Sequence, residues 1–412
     1  MTTSTGSPIG LSALAQARHF PLYTAEFAAD PHGAYREMRR RYGSLVPVEL
    51  APGVPATLVI GYHDAVRILN DPEHFPADPR LWQDSIPDDS PIKPMLQWYP
   101  NVLRNAGETH RRYRGANVAA VEGVDLHGLH AIVEREALPL INAFCEAGEA
   151  ELISQYAMPL VFAGLNDMLG CPPDIGARVA AGMAALFDSV DENAALGMQM
   201  LSEALLELIA LKRAEPGDDM VTRLLQHDAA LDDTEMLYNI ISIYGAGLEP
   251  QQNLIINTLR LILTDDRFAG DVLGGSLSTR DALDEVLFND PPMANFSVSY
   301  PRQPMLIGET WLPAHQPVVI SMTGCNNDPA IGGGERIGNR SHLAWSLGPH
   351  ACPARSVASL VAQEAIDQLL DALPELRLAV PAEELSWRPG PFHRALAGLP
   401  VIFPASPPLN VK

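Results

Sequence analysis

The chain has 412 residues and carries 50 Asp and Glu against 28 Lys and Arg, a formal net charge of −22 at neutral pH. That balance disfavours nucleic acid and anionic membrane as primary partners. Four cysteines without framework spacing, no basic-then-apolar leader and no apolar run near ~18 residues predict a cytoplasmic, soluble protein with free thiols. The length admits two domains, and one large domain fits equally well.

In chain order, residues 1–20 read as a flexible N-terminal tail, and ordered structure is expected from residue 21 to 412 as one domain. Asp30-Pro31 to Tyr42 has helical patterning, and Leu45 to Leu50 and Thr57 to Tyr62 alternate as two strands joined at Pro52-Gly53. Residues 71–101 hold seven prolines together with Trp82, Trp98 and Tyr99, which predicts a long irregular loop of the kind that lids a pocket. Helical periodicity then runs from about 125 to 265, interrupted at Cys171-Pro172-Pro173 and Pro216-Gly217-Asp218-Asp219. Within it, Leu237, Ile240, Ile241, Tyr244, Leu248, Ile255, Leu259 and Ile262 form one stripe, predicting a helix of roughly thirty residues that crosses the core. Short strands are expected at Phe296 to Tyr300 and Pro317 to Met322, and a helix from the cysteine segment to about Leu370.

Cys352 carries the most chemistry. In Trp345-Ser346-Leu347-Gly348-Pro349-His350-Ala351-Cys352-Pro353-Ala354 a glycine-containing turn leads to a cysteine at the expected start of that helix, with Pro353 at its first position, where no hydrogen bond is lost. Exposed N–H groups and the positive end of the helix dipole favour a thiolate there, and a thiolate is a good soft metal ligand. The plain alternative is a small hydrophobe opening a helix. The segment from His342 to Cys352 resembles the haem-binding loop of bacterial cytochrome P450 enzymes, which implies Cys352 as proximal ligand of the haem iron and His350 beside the cofactor. Cys145, Cys171 and Cys325 have no such context and read as buried structural thiols.

Gly107-Glu108-Thr109-His110-Arg111-Arg112-Tyr113-Arg114 resembles the family helix that binds the haem propionates. A spacing of four puts His110 and Arg114 on one face, although such pairs are also common on solvated helices. Gly245-Ala246-Gly247-Leu248-Glu249-Pro250 resembles the oxygen-activation segment, which implies catalytic positions at Ala246, Gly247, Glu249 and Pro250. Pro250 stands where the family has an alcohol, and a proline inside a helix removes one hydrogen bond and kinks it at a cost of about 3 kcal/mol. The kink is either a groove over the iron or a tolerated bend in a buried helix.

Other departures follow. The family Glu-x-x-Arg reads Glu285-Val286-Leu287-Phe288, so Glu285 is expected to pair elsewhere, with Arg336 or Arg340 as candidates, or to be exposed. Ser346 and Ala354 replace loop glycines. The family's strand arginine, which also meets a propionate, is placed at Arg302, with Ser299 and Tyr300 aligning about as well. The chain thus resembles a divergent subgroup lacking both the arginine and the threonine.

The resemblance spans nearly the whole chain, to Ala397-Gly398-Leu399-Pro400-Val401. It implies an α+β fold, mainly α with small β-sheets, as one triangular haem-enclosing domain containing haem b. The implied function is a cytochrome P450 monooxygenase or oxidase of secondary metabolism, acting on a small organic molecule and fed by ferredoxin and ferredoxin reductase. Absence of the alcohol favours hydrogen abstraction and coupling over hydroxylation, for example of an indole-containing cyclic dipeptide. Trp82, Trp98, Leu248 and Phe296 are the expected pocket residues. The alternative is a haem-binding regulatory protein without turnover.

Overall fold

The computed structural model describes residues 19–187, 192–268, 277–332 and 338–409. Most of the tail expected at 1–20 lies outside them, while Phe20–Pro21 (β1) already pairs in parallel with Leu45–Ala51 (β2). Strand β2 turns at Gly53, whose φ of +73° suits glycine, into Val54–Val59 (β3). The second strand therefore ends earlier than its alternation suggested, because Tyr62 opens a helix. The other strands are β4 (Glu149–Glu151), β5 (Ser297–Ser299), β6 (Met305–Ile307), β7 (Thr310–Leu312), β8 (Val318–Ile320), β9 (Arg377–Leu378) and β10 (Pro400–Ile402). They form a five-stranded sheet in the order β1-β2-β3-β8-β5, a three-stranded sheet β4-β10-β9 and the hairpin β6-β7.

The helices are α1 (Ala25–Ala29), α2 (Pro31–Tyr42), α3 (Tyr62–Leu69), α4 (Lys93–Leu96), α5 (Gly107–Glu122), α6 (Leu126–Phe144), α7 (Met158–Leu169), α8 (Pro173–Phe187), α9 (Glu192–Ala214), α10 (Met220–Gln226), α11 (Asp233–Gly247), α12 (Glu249–Thr264), α13 (Thr279–Asn289), α14 (Met322–Asn326) and α15 (Arg355–Ala372). The main core joins α6, α7, α12, α13 and α15 through Leu129, Ile141, Leu160, Leu254, Leu259, Leu283 and Ile366. A second core lies between α5, α7, α9 and α11, and a third beneath the larger sheet. None of the described helices is long and apolar enough to cross a membrane.

The long central helix is two helices. Leu248 keeps right-handed torsions and donates to the carbonyl of Tyr244 at 2.9 Å, but Pro250 has no N–H to continue the ladder, so α11 ends at Gly247 and α12 begins at Glu249. The stripe survives across the break, with Ile240 and Tyr244 buried on one side and Ile255 and Leu259 on the other. Residues 71–101 are largely irregular, with a single turn of helix at Gln83–Ser85 and the short α4.

Candidate active site

The cysteine loop is held from three sides. Cys352 N–H donates to the carbonyl of Trp345 at 2.8 Å and Ser346 N–H to that of Leu343 at 2.7 Å, which closes the turn. Gly348 has φ +68°, and a Cβ there would stand 2.1 Å from the carbonyl oxygen of Leu69, so no other residue fits without moving backbone. Ser346, in the place of a family glycine, also has a positive φ of +57°, an unusual conformation for a residue with a side chain. Its hydroxyl bonds that of Ser297 on β5 at 2.9 Å, an added tie between loop and sheet.

The helix after the loop starts later than the sequence suggested. Helix α15 begins at Arg355 and Ala354 is its N-cap, so Cys352 stands three residues ahead of it and Pro353 is outside it. The dipole argument for a thiolate weakens accordingly. Burial pushes the Cys352 thiol up, and a backbone hydrogen bond at Ala354 and the charge of Arg114 draw it back down. Cys145, Cys171 and Cys325 are free and buried, and Cys352 alone among the four is partly exposed.

Facing the loop, α5 brings His110 against His350 with ring centroids 4.0 Å apart. His110 is 4% exposed, and its Nε2 has no hydrogen-bond partner among the described residues. Burial, then the charges of Arg114 and Arg111, lower its pKa to about 4, and burial, then His110, Arg104 and Arg114, lower that of His350 to about 3. Two neutral imidazoles and two guanidinium groups, from Arg104 and Arg114, thus share one region, and neither arginine is ion-paired to a described carboxylate. Four such donors, one of them orphaned, beside a cysteine fit a flat dianionic ligand carrying a soft metal. The residues present fit haem, with His110, Arg114 and His350 able to hold its propionates and Cys352 its iron.

Other expected site residues lie differently. The Nε of Arg302 bonds the carbonyl of Glu73 at 2.8 Å and the residue is exposed, so it is tied to a surface loop and not to this region. Trp82 packs on Tyr300 at 5.3 Å within the core beneath the larger sheet, where Phe296 meets Phe392 edge-on. Trp98 donates from its indole N–H to Asn105 at 3.1 Å and lies under Arg80. These rings are therefore engaged in packing. Leu248 sits between the two helical cores.

At the helix break, Gly245 has open space beside its Cα while a Cβ on Gly247 would press on Leu165 at 3.2 Å. Glu249 does not stand alone, since Arg388 from the segment before β10 ion-pairs with it. His393 from the same segment is half-buried, and its buried Nε2 lacks a described partner. Burial lowers its pKa, while the Glu249 charge works the other way. Gln251 points elsewhere and donates to the carbonyl of Ala358 on α15 at 3.0 Å.

Glu285 finds a cation at Arg267, 2.7 Å away. Arg336 lies outside the described residues, and Arg340 bonds the buried Asp284 at 2.8 Å, with Arg280 at 3.7 Å from the same carboxylate. Phe288, in the arginine's position, packs edge-on against His342 at 5.3 Å. Sequence reasoning missed Arg104, Arg267, Arg388 and Asp284. Only Asp284, adjacent to the motif glutamate, had a local signal.

No family model matches the sequence. Cytochrome P450 107B1 of Saccharopolyspora erythraea is 28% identical over 396 residues, covering 91% of this chain and 95% of that protein. Cytochrome P450 monooxygenase PikC of Streptomyces venezuelae is 29% identical over 416 residues, covering 97% and 95%. The solved structure of CYP154C4 from a Streptomyces species superposes with a TM-score of 0.84 at 24% identity, over 96% of this chain and all of that one. The homologues are bacterial cytochrome P450s, and the fold is the cytochrome P450 fold.

Proposed function

Taking as premise that the chain is a cytochrome P450 oxidoreductase with haem b as its cofactor, we propose that it oxidises a small aromatic secondary metabolite by hydrogen abstraction and oxidative coupling. An indole-containing cyclic dipeptide is the type of substrate we infer, with dioxygen as oxidant and electrons from ferredoxin through ferredoxin reductase. When bound, haem supplies the one-electron and dioxygen chemistry, and the protein supplies orientation and proton access. The balance is two substrate hydrogens, one dioxygen, two electrons and two protons giving one new substrate bond and two waters.

The observation that carries this reading is the helix break. Pro250 takes the place of an alcohol, the adjacent carboxylate of Glu249 is bound to Arg388, and Gln251 is committed to α15. No hydroxyl at that point holds a proton ready, which favours an outcome in which substrate radicals combine over one in which oxygen is inserted. Support for an aromatic substrate is the stack of Tyr99 from the long loop on Tyr238 of α11, with centroids 5.0 Å apart, two turns ahead of Gly245.

The test is product per reducing equivalent, with ferredoxin and its reductase, on a panel of aromatic metabolites that shift the haem spin state. Coupled or dehydrogenated product is expected from the wild type. Pro250→Thr, which restores the alcohol, should move products toward hydroxylation, and Glu249→Gln should divert electrons to peroxide. Hydroxylated product alone from the wild type refutes coupling. A verified ligand that yields no product in any of the three proteins favours a regulatory haem protein.

A further inference from the structure

Arg104 lies in the loop that leads into α5, six residues ahead of His110, and no motif marks it. Its backbone is pinned, with its N–H on the side chain of Asn101 at 3.1 Å, while Asn105 bonds the carbonyls of Tyr99 and Asn101 at 2.9 and 2.7 Å. The side chain runs inward, leaving the residue 5% exposed. Its Nε and Nη2 share one acceptor, the carbonyl of Met95, at 3.0 and 2.5 Å. The guanidinium lies 5.3 Å over the ring of Phe296, next to the strand that touches the cysteine loop through Ser297 and Ser346.

A buried guanidinium needs a counter-charge, because removing it from water costs several kcal/mol unless an anion or a full set of acceptors replaces the lost hydration. Arg104 has neither among the described residues. Asp78, whose charge also reaches the neighbouring Tyr300, is held by Arg80 at 2.5 Å. Nη1 of Arg104 makes no hydrogen bond to a described residue, and the Tyr300 hydroxyl, buried close to this guanidinium, has no partner either. The charge of Arg104 is felt at His350, which stacks on His110. The cation is thus part of the same cluster that faces the cysteine loop, and its unused donor is left for an anion that the described residues do not supply. Strand β5 has no arginine, and Arg302 is turned to the surface.

We propose that Arg104 is an anchoring residue for the haem propionates, a cation delivered from the loop ahead of α5 in a chain without an arginine on β5. With Arg114 it gives two fixed positive charges for two carboxylates, and His110 and His350 add neutral donors. This rests on the haem reading above.

The test is the rate of haem transfer from holoprotein to excess apomyoglobin, for wild type, Arg104→Gln and Arg104→Lys, each loaded with haem b or with its dimethyl ester. Glutamine can still donate to the Met95 carbonyl, and lysine keeps the charge. Loss of one charge-assisted bond should speed haem b loss roughly ten-fold or more in Arg104→Gln, and less in Arg104→Lys. With the esterified propionates the three proteins should lose haem at nearly one rate. Equal rates with haem b overturn the proposal. So does an Arg104→Gln effect of the same size on both haems, which would make the residue a clamp on the Met95 loop only. A wild type that shows no thiolate-type carbon monoxide band fails at Cys352, and overturns the haem reading before Arg104 is tested.

Discussion

Restoring the family arginine at position 288 should damage this protein. Phe288 is 2% exposed and meets the buried His342 edge-on, and the backbone carbonyls of Leu287 and Phe288 accept from Asn326. Asn326 in turn accepts from Leu343 N–H at 2.7 Å, so the end of α13 is connected to the entry of the cysteine loop. Phe288→Arg removes a buried aromatic ring, a loss of about 1.5–3 kcal/mol. It also inserts a cation where the nearby carboxylates are in use, Asp284 by Arg340 and Glu285 by Arg267. An uncompensated buried charge adds roughly 3 kcal/mol, giving a total of about 5 kcal/mol. At ~2.1 cal/mol/K per residue the unfolding entropy of 412 residues is near 0.9 kcal/mol/K, so Tm should fall by about 6 °C. Differential scanning fluorimetry of the holoprotein reads the shift, and Phe288→Leu is the control that removes the ring without adding charge. An unchanged or higher Tm in Phe288→Arg would refute the argument, because it would mean that Glu285 releases Arg267 and takes the new guanidinium at no cost.

Cys352→Ala should abolish the red-shifted Soret band of the reduced carbon monoxide complex, whereas removing Cys145, Cys171 or Cys325 singly should leave it; a retained band in Cys352→Ala would rule out ligation. Gly348→Ala should cost roughly 2–5 kcal/mol, from the left-handed torsion and from overlap with the Leu69 carbonyl, and lower haem content with it; denaturant titration showing a change below about 1 kcal/mol would contradict the loop geometry. Asp290 is ion-paired to Arg394 at 2.8 Å and His32 at 3.5 Å, and these partners outweigh burial to hold its pKa down at about 2 from the usual 3.8. A depressed carboxyl pKa contributes stability above its unfolded value and loses it as pH falls toward the folded one. Asp290→Asn should therefore be less stable than wild type by about 2 kcal/mol at pH 6, and the gap should close between pH 4 and 2; a pH-independent gap in urea titrations would assign the loss to packing.

The parts legible in the sequence are those whose chemistry is local. A turn with Gly348 and a cysteine, a His and an Arg four apart on α5, and an apolar stripe through Leu237 to Ile262 each show in a short window, because helix and turn geometry fix what neighbours in sequence do in space. Legibility fails where a partner arrives from far away. The cation for Glu285 comes from 18 residues upstream, that for Asp284 from 56 downstream, and that for Glu249 from 139 downstream. Nothing at those three carboxylates names its partner. In the long loop the rings are visible in the sequence but their neighbours are not: Trp82 packs on Tyr300 and Trp98 lies under Arg80. The start of α15 was misplaced because a proline after a cysteine is equally at home in the turn before a helix and in its first position.

The three departures at the chemical centre have one feature in common. Each involves a polar group, and each such group has a specific partner in this chain. The carboxylate at Glu285 has Arg267, the strained Ser346 has the hydroxyl of Ser297, and the acid at the helix break has Arg388. Both ion pairs are solvent-exposed and so contribute little stability on their own, and what they fix is the direction of each carboxylate. Here the partners come from α12–α13, from β5 and from the segment before β10, and two of these three contacts, those of Ser346 and Glu249, border the cysteine loop or the helix break. The arrangement is a repacked centre in which these three groups are paired, while the buried Nε2 of His110 and the Tyr300 hydroxyl have no partner among the described residues, as in a cradle whose ligand brings its own acceptors.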